Sequence, residues 1–308
     1  MTNKIIAVQG NHPSKLNPIT DTSVFLAHEI QNKKYRLFYY EPKDLSIINS
    51  KVVAKGFFIK FNYSHKKFFK ILKKQNLNLS NCKFILIRQD PPFNLEYISA
   101  TYILDTIKDK IKIINNPTSI RNVSEKLYSA KYQKFMPSTI FSQNIDEIKI
   151  FFRTHKKVVL KPIHSYSGND IHLLKKFNLK FIQKFIKKHN HIMCQKYLSK
   201  ISKGDKRVFL INGKVCGAIS RVPKKGSFLS NMSKGAKPIN TKLTKIEKKI
   251  SKLIAKDLKK ENIYFAGIDF IDQKLNGDIN VTSPTGLKTF FDLSKINLAK
   301  TFWKELKA

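Results

Sequence analysis

Cysteine is scarce in this chain, and long apolar runs are missing. The three cysteines, Cys82, Cys194 and Cys216, are an odd number without zinc-ligand spacing, which argues against a disulfide framework and a zinc site. No apolar run reaches the roughly 18 residues of a membrane-spanning helix. The first residues, MTNKIIAVQGNHP, lack the basic region and the long apolar region of a secretory signal. We therefore expect a cytoplasmic protein with no membrane partner.

Acidic residues are also few. Lys and Arg total 59 against 21 Asp and Glu, which gives a net charge of +38. Such a charge is typical of proteins that bind nucleic acid or anionic surfaces, but here the basic residues are spread along the whole chain and only six are Arg. Together with abundant Asn, Ile and Phe, this composition is typical of AT-rich codon usage. We therefore expect solvated lysine surfaces and no specific nucleic acid partner.

Short apolar segments alternate with helical ones over the first 120 residues. This alternation predicts a parallel α/β sheet, with strands at KIIAV, YRLFYYE, KFILIRQ and IKIIN and helices at TSVFLAHEIQ, HKKFFKILKK (65–74) and LEYISATYILDTI. Ligands of such sheets bind at the carboxyl ends of the strands. Arg88 and Asp90 directly follow the strand FILI, and Asn94 can cap the next helix. The stretch is therefore either part of a ligand site or a strand-to-helix turn, and both interpretations stay open.

The pattern changes from about residue 123. It predicts a helix over 124–135, then helices and strands in irregular order, a hairpin that turns at Asn212-Gly213 and a long amphipathic helix with apolar residues from Ile246 to Leu258. The Gly/Ser/Lys-rich segment after Arg221 is typical of a lid or a disordered loop.

Two groups of charged residues in this second part suggest a site. Lys126 and Lys161 could hold a polyphosphate together, although two surface lysines among many would look the same. Asp278 and Asn280 share one face of a strand because side chains alternate. With Asp269 on a neighbouring strand they would form an all-oxygen set, which suits Mg²⁺. The alternative is a hairpin with solvent-facing polar residues.

The motifs, taken in order, resemble those of a known family. RQDPPFNLEYISATYILD, NNPTSIRNVSEKLY, VVLKPIHSYSG, QKYL, GDKRV and GIDFI…GDINVTSPTG follow one another as in the bacterial glutathione synthetases of the ATP-grasp superfamily, and the resemblance covers nearly the whole chain. It implies an ATP-grasp α/β fold with an N-terminal parallel, Rossmann-like domain over 1–122. The ATP-grasp domain would cover 123–308, as two α+β subdomains that enclose ATP, the smaller at about 136–199.

The resemblance also implies an activity and a set of site residues. The enzyme would use ATP to join γ-glutamylcysteine to glycine through an acyl phosphate, with Mg²⁺ or Mn²⁺ as cofactor, and it would often be a homotetramer. Matched position by position, the family implies that ATP is bound by two groups of residues: Lys126 and Lys161 at the phosphates, and Gln195, Lys196, Tyr197 and Leu198 at the adenine, with Asp205 at the ribose or adenine edge. It implies metal binding by Asp269, Asp278 and Asn280, and stabilisation of the acyl phosphate by Arg207 and Arg221. It also implies a substrate cleft lined by Arg88, Asp90, Asn231, Ser283, Pro284 and Thr285.

Departures from the family pattern fall mainly in loops. The small loop after LKP is usually rich in Gly, but here residues 164–168 read HSYSG and keep only Gly168. The larger loop reads Leu229-Ser230-Asn231 where the family has Arg-x-Asn, and Leu287-Lys288-Thr289 replaces Ile-Arg-Glu. These losses leave two alternatives: a diverged ligase with another acyl donor or amine, or a catalytically impaired or polyanion-binding protein.

Overall fold

Strands of the first 120 residues form one mixed sheet around a parallel centre. The computed structural model describes residues 4–63 and 67–308. The strand order is β3-β4-β2-β1-β6-β7, with β5 on the other edge of β4. The parallel pairs are β1 with β2, β1 with β6 and β6 with β7, and their apolar residues are buried, as parallel strands require. The strands are β1 (Ile5–Gln9), β2 (Arg36–Tyr40), β3 (Leu45–Ile48), β4 (Lys51–Phe61), β5 (Phe69–Asn78), β6 (Phe84–Ile87) and β7 (Lys112–Ile114).

The helices of this region begin at side-chain caps. Asp21 accepts from Val24 N at 2.8 Å, and Asn94 accepts from Tyr97 N at 3.0 Å, so the predicted cap at Asn94 is confirmed. Each cap satisfies an amide that the helix itself leaves unpaired. The helices are α1 (Thr22–Gln31), α2 (Leu95–Asp105) and α3 (Pro117–Asn122), with short 3-10 turns at Pro13–Lys15, Pro42–Asp44 and Leu79–Asn81.

The helix predicted over 65–74 is wrong. Residues 65 and 66 lie outside the described residues, and Phe69–Asn78 is strand β5, which pairs antiparallel with β4 from Phe61 opposite Phe69 to Val53 opposite Asn78. Ile71, Gln75 and Leu77 are each less exposed than the residues on either side of them, as expected where side chains alternate between the two faces of a strand. The local sequence pattern suits a helix, but hydrogen bonding to β4, a strand earlier in the chain, makes this segment a strand.

A four-stranded antiparallel sheet follows, in the order β10-β9-β11-β8. Two helices cover it and share a core with it that includes Ile148, Leu160, Ile182 and Cys194. The helix predicted over 124–135 is instead a 3-10 helix at Leu127–Phe135, interrupted at Tyr132. The elements are β8 (Thr139–Ser142), α4 (Ile145–His155), β9 (Val158–Pro162), β10 (His172–Leu174), α5 (Leu179–His189) and β11 (Ile192–Lys196).

The third sheet has five antiparallel strands in the order β14-β13-β12-β15-β16. The predicted turn at Asn212-Gly213 is confirmed, with φ of 50° and 76°, and the long helix begins with a capping box between Thr244 and Glu247. The elements are β12 (Asp205–Ile211), β13 (Lys214–Val222), β14 (Lys237–Asn240), α6 (Lys245–Lys260), β15 (Phe265–Ile271), β16 (Lys274–Asn280), α7 (Leu287–Ser294) and α8 (Leu298–Glu305), with 3-10 turns at Ser199–Lys203 and Met232–Lys234.

The first and third sheets are joined through a shared core and one buried amide. Trp303 of α8 lies in the same apolar cluster as α1 and donates to Leu26 O at 2.9 Å. Asn115, after β7, donates to Phe265 O and Val281 O at 2.7 Å each and accepts from Tyr264 N and Phe265 N. Because all four hydrogen bonds of this amide are made, it ties the two sheets together without a burial penalty. No helix among the described residues is long and apolar enough to cross a membrane.

Candidate active site

A cleft of about 830 Å³ lies between the second and third sheets. Strands β9, β11, β12, β13, β15 and β16 supply its walls, and residues 165–168 and 228–231 cover it. Most of the residues predicted for the site therefore meet in one cavity, although they are far apart in the chain. Those that line it are Lys126, Lys161, Gln195, Lys196, Tyr197, Leu198, Asp205, Arg207, Arg221, Asn231, Asp269, Asp278 and Asn280.

Lys126 and Lys161 are not surface lysines. Both side chains are 4% exposed, and their Nζ atoms lie 3.7 and 3.8 Å from the carboxylate of Asp278. Lys126 Nζ donates to Ser165 O at 2.6 Å, and Lys161 Nζ donates to the carbonyl and the side-chain oxygen of Asn276. Burial lowers the pKa of Lys161, although the charge of Asp278 opposes the shift. Two ammonium groups that share one carboxylate leave positive charge for an anionic ligand.

Four charged residues form a buried network on strands β12, β13 and β15. Arg207 stands opposite Asp269, and Asp205 stands opposite Arg221, in the strand register. Arg207 binds both oxygens of Asp269 at 2.5 and 2.8 Å, Arg221 binds both oxygens of Asp205 at 2.8 and 2.5 Å, and Arg221 also reaches Asp269 at 3.0 Å. Because each arginine donates two hydrogen bonds to one carboxylate, the pair fixes both the position and the orientation of the guanidinium group.

The network sets the charge of Asp269. Burial alone would raise the pKa of this carboxyl, but the guanidinium groups of Arg207 and Arg221 hold it at about 2. Asp269 is therefore ionised at neutral pH although it is buried. A buried carboxylate needs a partner, and Asp269 has two, because Arg207 and Arg221 both bind it.

The oxygen atoms expected to bind a divalent metal lie in the same cavity. Asp278 is partly exposed to the cavity, and its lysine partners lie beyond hydrogen-bond distance. Asn280 donates from its side chain to Gly267 O at 3.1 Å, which fixes the amide and leaves its oxygen as the remaining acceptor. Two carboxylates and one amide oxygen, Asp269, Asp278 and Asn280, thus line one cavity, and this hard donor set fits a divalent cation that keeps some of its waters. No cluster of three or more His, Cys, Asp or Glu of metal-binding type occurs in the described residues.

The end of β11 forms the other wall of the cavity. Gln195 is buried, donates to Thr139 Oγ1 at 2.9 Å and accepts from Lys161. The next two residues line the same wall. Their backbone amides form hydrogen bonds, from Lys196 N to Ser138 O and from Tyr197 N to Lys157 O. Val159, Leu198, Ile201 and Ile271 add apolar surface to the same cavity, which suits the flat faces of a base.

The residues predicted for the substrate end lie outside this cavity, apart from Asn231. Arg88 donates to Ser23 Oγ and to Pro284 O, at 3.0 Å each, and Ser283 Oγ donates to Arg88 O at 3.3 Å. Arg88 therefore joins the end of β6 to the segment after β16, and burial lowers its pKa. Asp90 accepts from Asn11 at 2.8 Å, and Thr285 is exposed.

The two loops that cover the cavity touch each other. Ser167 and Gly168 both take left-handed backbone, with φ of 53° and 74°, so the small loop keeps this conformation where a Gly has become Ser. A Cβ on Gly168 would come within 2.4 Å of the Asn231 side chain. Lys234 Nζ donates to Asn169 Oδ1 at 2.9 Å, and Ser230 Oγ donates to Asp205 at 2.6 Å. The larger loop thus rests on both the small loop and the buried network.

Three residues that line the cavity were missed from the sequence: Glu125, Ser230 and Asn276. Asn276 could have been found, because it shares the strand face of Asp278 and Asn280 at a spacing of two. Ser230 and Glu125 carried no local signal, since their partners lie 25 and more than 150 residues away.

Solved structures identify the fold that this arrangement belongs to. The ATP-grasp ligase PsnB, solved with a precursor variant, Mg and ADP, superposes with a TM-score of 0.67 at 11% identity, over 99% of this chain and 98% of that one. D-alanyl-alanine synthetase A of Vibrio cholerae does so with a TM-score of 0.64 at 14% identity, over 100% and 98%. The fold is the ATP-grasp fold, as predicted from the sequence.

Sequence comparison then identifies the family. The family model of the prokaryotic glutathione synthetase N-terminal domain matches residues 5–121, and that of the ATP-grasp domain matches 125–295. Glutathione synthetase of Agrobacterium fabrum is 32% identical over 99% of this chain and 96% of its own. That of Buchnera aphidicola is 36% identical over 88% and 86%. The chain belongs to the prokaryotic glutathione synthetase family and is an ATP-dependent carboxylate–amine ligase of glutathione synthesis.

Proposed function

We propose that this chain joins the terminal carboxylate of γ-glutamylcysteine to the amine of glycine and releases ADP and phosphate. The observation that carries the proposal is one cavity lined by Lys126, Lys161, Arg207 and Arg221 together with three oxygen ligands. Arg207 and Arg221 are paired with Asp269 and Asp205, whereas Lys126 and Lys161 share the single carboxylate of Asp278. The excess positive charge therefore lies at the two lysines, where a triphosphate would bind, and ligation by this class needs phosphoryl transfer first.

The reaction begins with the substrate carboxylate attacking the γ-phosphorus of ATP. The bond from the γ-phosphorus to the β,γ-bridging oxygen breaks and ADP leaves, so that an acyl phosphate forms. Lys126 and Lys161 hold the phosphates, and the wall from Gln195 to Leu198 receives the adenine, with Asp205 at its ribose edge. Positioning and charge neutralisation account for most of this step.

The glycine amine then attacks the acyl carbon, loses a proton and expels phosphate through a tetrahedral intermediate. Arg207 and Arg221 stabilise the negative charge on the acyl phosphate, because their forks are already oriented by Asp269 and Asp205. Arg88, Asp90, Asn231, Ser283, Pro284 and Thr285 line the peptide end. In this scheme Arg88 acts by holding the segment at Pro284, since its guanidinium donates to that backbone.

Magnesium, or manganese in its place, is the cofactor that the donor set suits. Asp269, Asp278 and Asn280 would hold it, and a bound divalent ion would neutralise charge on the phosphates. The carboxylate of Asp278 lies 3.7 Å from Lys126 Nζ and 3.8 Å from Lys161 Nζ, so an ion held there would lie beside both phosphate lysines.

The domain division and the assembly are part of the same proposal. Residues 1–122 form the substrate-side domain and 123–308 the ATP-grasp domain, whose small subdomain covers about 136–199; the separate sheet and core of that subdomain support this division. Family membership supports a cytoplasmic homotetramer with small-molecule substrates and no specific nucleic acid partner. Light scattering on the purified chain tests the assembly.

Phosphate release from ATP and Mg²⁺ tests the activity. We expect release only when γ-glutamylcysteine and glycine are supplied together, and glutathione as the product by mass spectrometry. Either substrate alone serves as the control. Release with a different dipeptide or amine, and none with this pair, would contradict the proposal and identify a diverged ligase.

A further inference from the structure

Glu125 precedes the phosphate lysine Lys126 and has no part in the scheme above. Its backbone carbonyl accepts from Ile279 N at 2.9 Å. Its side-chain Oε1 accepts from Val281 N at 3.0 Å, from Thr282 N at 3.2 Å and from Thr282 Oγ1 at 2.8 Å. All four donors belong to residues 279–282, the end of β16 and the two residues after it.

These contacts lie on the free edge of the third sheet. Among residues 4–63 and 67–308, β16 is the last strand of its sheet, so amides on its outer edge have no strand partner there. Its pairing with β15 is also irregular beside the site, because the register shifts between Ile268 and Phe270. Glu125 therefore supplies the acceptors that a further strand would otherwise provide.

The strand held in this way carries two of the proposed metal ligands. Asp278 and Asn280 flank Ile279, and Val281 follows Asn280 directly. Because Glu125 is covalently joined to Lys126, its bonds to 279–282 also set the distance between Lys126 and Asp278. One residue thus couples the phosphate lysine to the strand of oxygen ligands.

We propose that Glu125 is a positioning residue that fixes Asp278 and Asn280 relative to Lys126. This inference rests on the proposed function, in which those residues bind metal and phosphate. The side chain of Glu125 performs this role as a hydrogen-bond acceptor, because its three contacts are hydrogen bonds from neutral donors. The carboxylate charge strengthens these bonds, but the amide oxygen of Gln can also accept them.

A direct contact with substrate is the competing role. Glu125 lines the main cavity and also a smaller one beside it, together with Phe93 and Tyr166, where a substrate amine could meet it. That contact would need the charge, whereas positioning needs only the acceptor. Glu125→Gln keeps an acceptor and removes the charge, so it separates the two roles.

The first readout is Mn²⁺ binding to the chain with ADP, followed by electron paramagnetic resonance. We expect Glu125→Ala to weaken Mn²⁺ binding by roughly 10- to 100-fold, as for other residues that orient metal ligands. ADP binding without metal should change little. Glu125→Gln should restore Mn²⁺ binding to near that of the unchanged chain. In steady-state assays Glu125→Ala should lower kcat and leave the KM for glycine unchanged.

Two outcomes would overturn the inference. If Glu125→Gln is as impaired as Glu125→Ala and raises the KM for glycine, the charge is the functional property. If Glu125→Ala lowers the melting temperature and leaves Mn²⁺ affinity unchanged, the residue is only structural. Thr282→Val removes one of the four donors, and a weaker change in the same direction, roughly 2- to 10-fold for one hydrogen bond, tests the idea should Glu125→Ala fail to fold.

The readouts also separate this inference from the proposed function. Mn²⁺ and ADP binding require no ligation, so a chain that binds both normally but makes no glutathione would fail the proposed function alone. A chain that makes glutathione, with Mn²⁺ affinity insensitive to Glu125, would fail this inference alone.

Discussion

The strands beneath the cavity and the loops above it are held in different ways. On the strands, Arg207, Asp269, Arg221 and Asp205 pair in the interior, each opposite its partner in the register. In the loops, the contact between Lys234 and Asn169 is exposed. Charges that are buried cannot be changed singly without a large cost, whereas exposed contacts contribute little. A single charge change should therefore destabilise the protein more on these strands than at the exposed contact between the loops.

The largest expected effect comes from breaking the strand network. Asp269→Asn removes one negative charge from between two buried guanidinium groups. We expect the free energy of unfolding to fall by about 3–5 kcal/mol, as for other broken buried pairs, and phosphate release to be lost. Urea denaturation measures the first and the coupled assay the second.

A matched control lies in the turn that follows the same strand. Asp272 pairs with Lys200 in an exposed ion pair, and Asp272→Asn should change the free energy of unfolding by less than about 1 kcal/mol. Equal stability of the two variants would show that burial does not distinguish the network from the surface.

The pH dependence of nucleotide binding tests the strand side of the comparison between strands and loops, because Lys161 lies on a strand of the cavity. Burial lowers the pKa of Lys161 from its ordinary value, and bound phosphate favours the charged form. Binding therefore takes up a proton above the lowered pKa, and ADP affinity should fall as pH rises through it, by up to about tenfold per pH unit. Lys161→Arg stays charged and should flatten the profile measured by calorimetry between pH 7 and 10. The same slope in both chains would contradict the assignment.

A substitution at Gly168 tests whether the backbone conformation of the loops affects ATP binding. Gly168→Ala places a Cβ against Asn231 at a φ of 74°, and the left-handed backbone alone costs about 1–2 kcal/mol. We expect the KM for ATP to rise and the melting temperature to change little, since the loops lie outside the main cores. A large drop in the melting temperature would show that the loops, like the strands, contribute to the stability of the whole protein.

The smallest effect is expected at Ser167. Its φ of 53° is one that Gly adopts without a Cβ penalty, so Ser167→Gly should leave stability within about 1 kcal/mol of the unchanged chain and lower the KM for ATP slightly. Ser165→Gly, at a position without positive φ, is the control. A fall in activity with Ser167→Gly would show that the serine itself is needed.

Several features could be predicted from the sequence because they depend on neighbouring residues. The cap at Asn94, the turn at Asn212-Gly213 and the face shared by Asp278 and Asn280 follow from local backbone geometry. The helix predicted over 65–74 failed because antiparallel pairing with β4 decided that segment. Arg88 was expected in the substrate cleft, and its bond to Pro284 depends on contact with a residue 196 positions away.

The sequence by itself determined the alternation of strands and helices, the family and the residue types that the chemistry needs, since these depend on periodicity and on ordered motifs. The tertiary structure alone decided which charges neutralise one another. Asp269 is shared by two arginines from two neighbouring elements, and Glu125 completes the edge of a strand that begins almost 150 residues later. Such pairings depend on strand register and sheet order, which arise only when distant segments pack together.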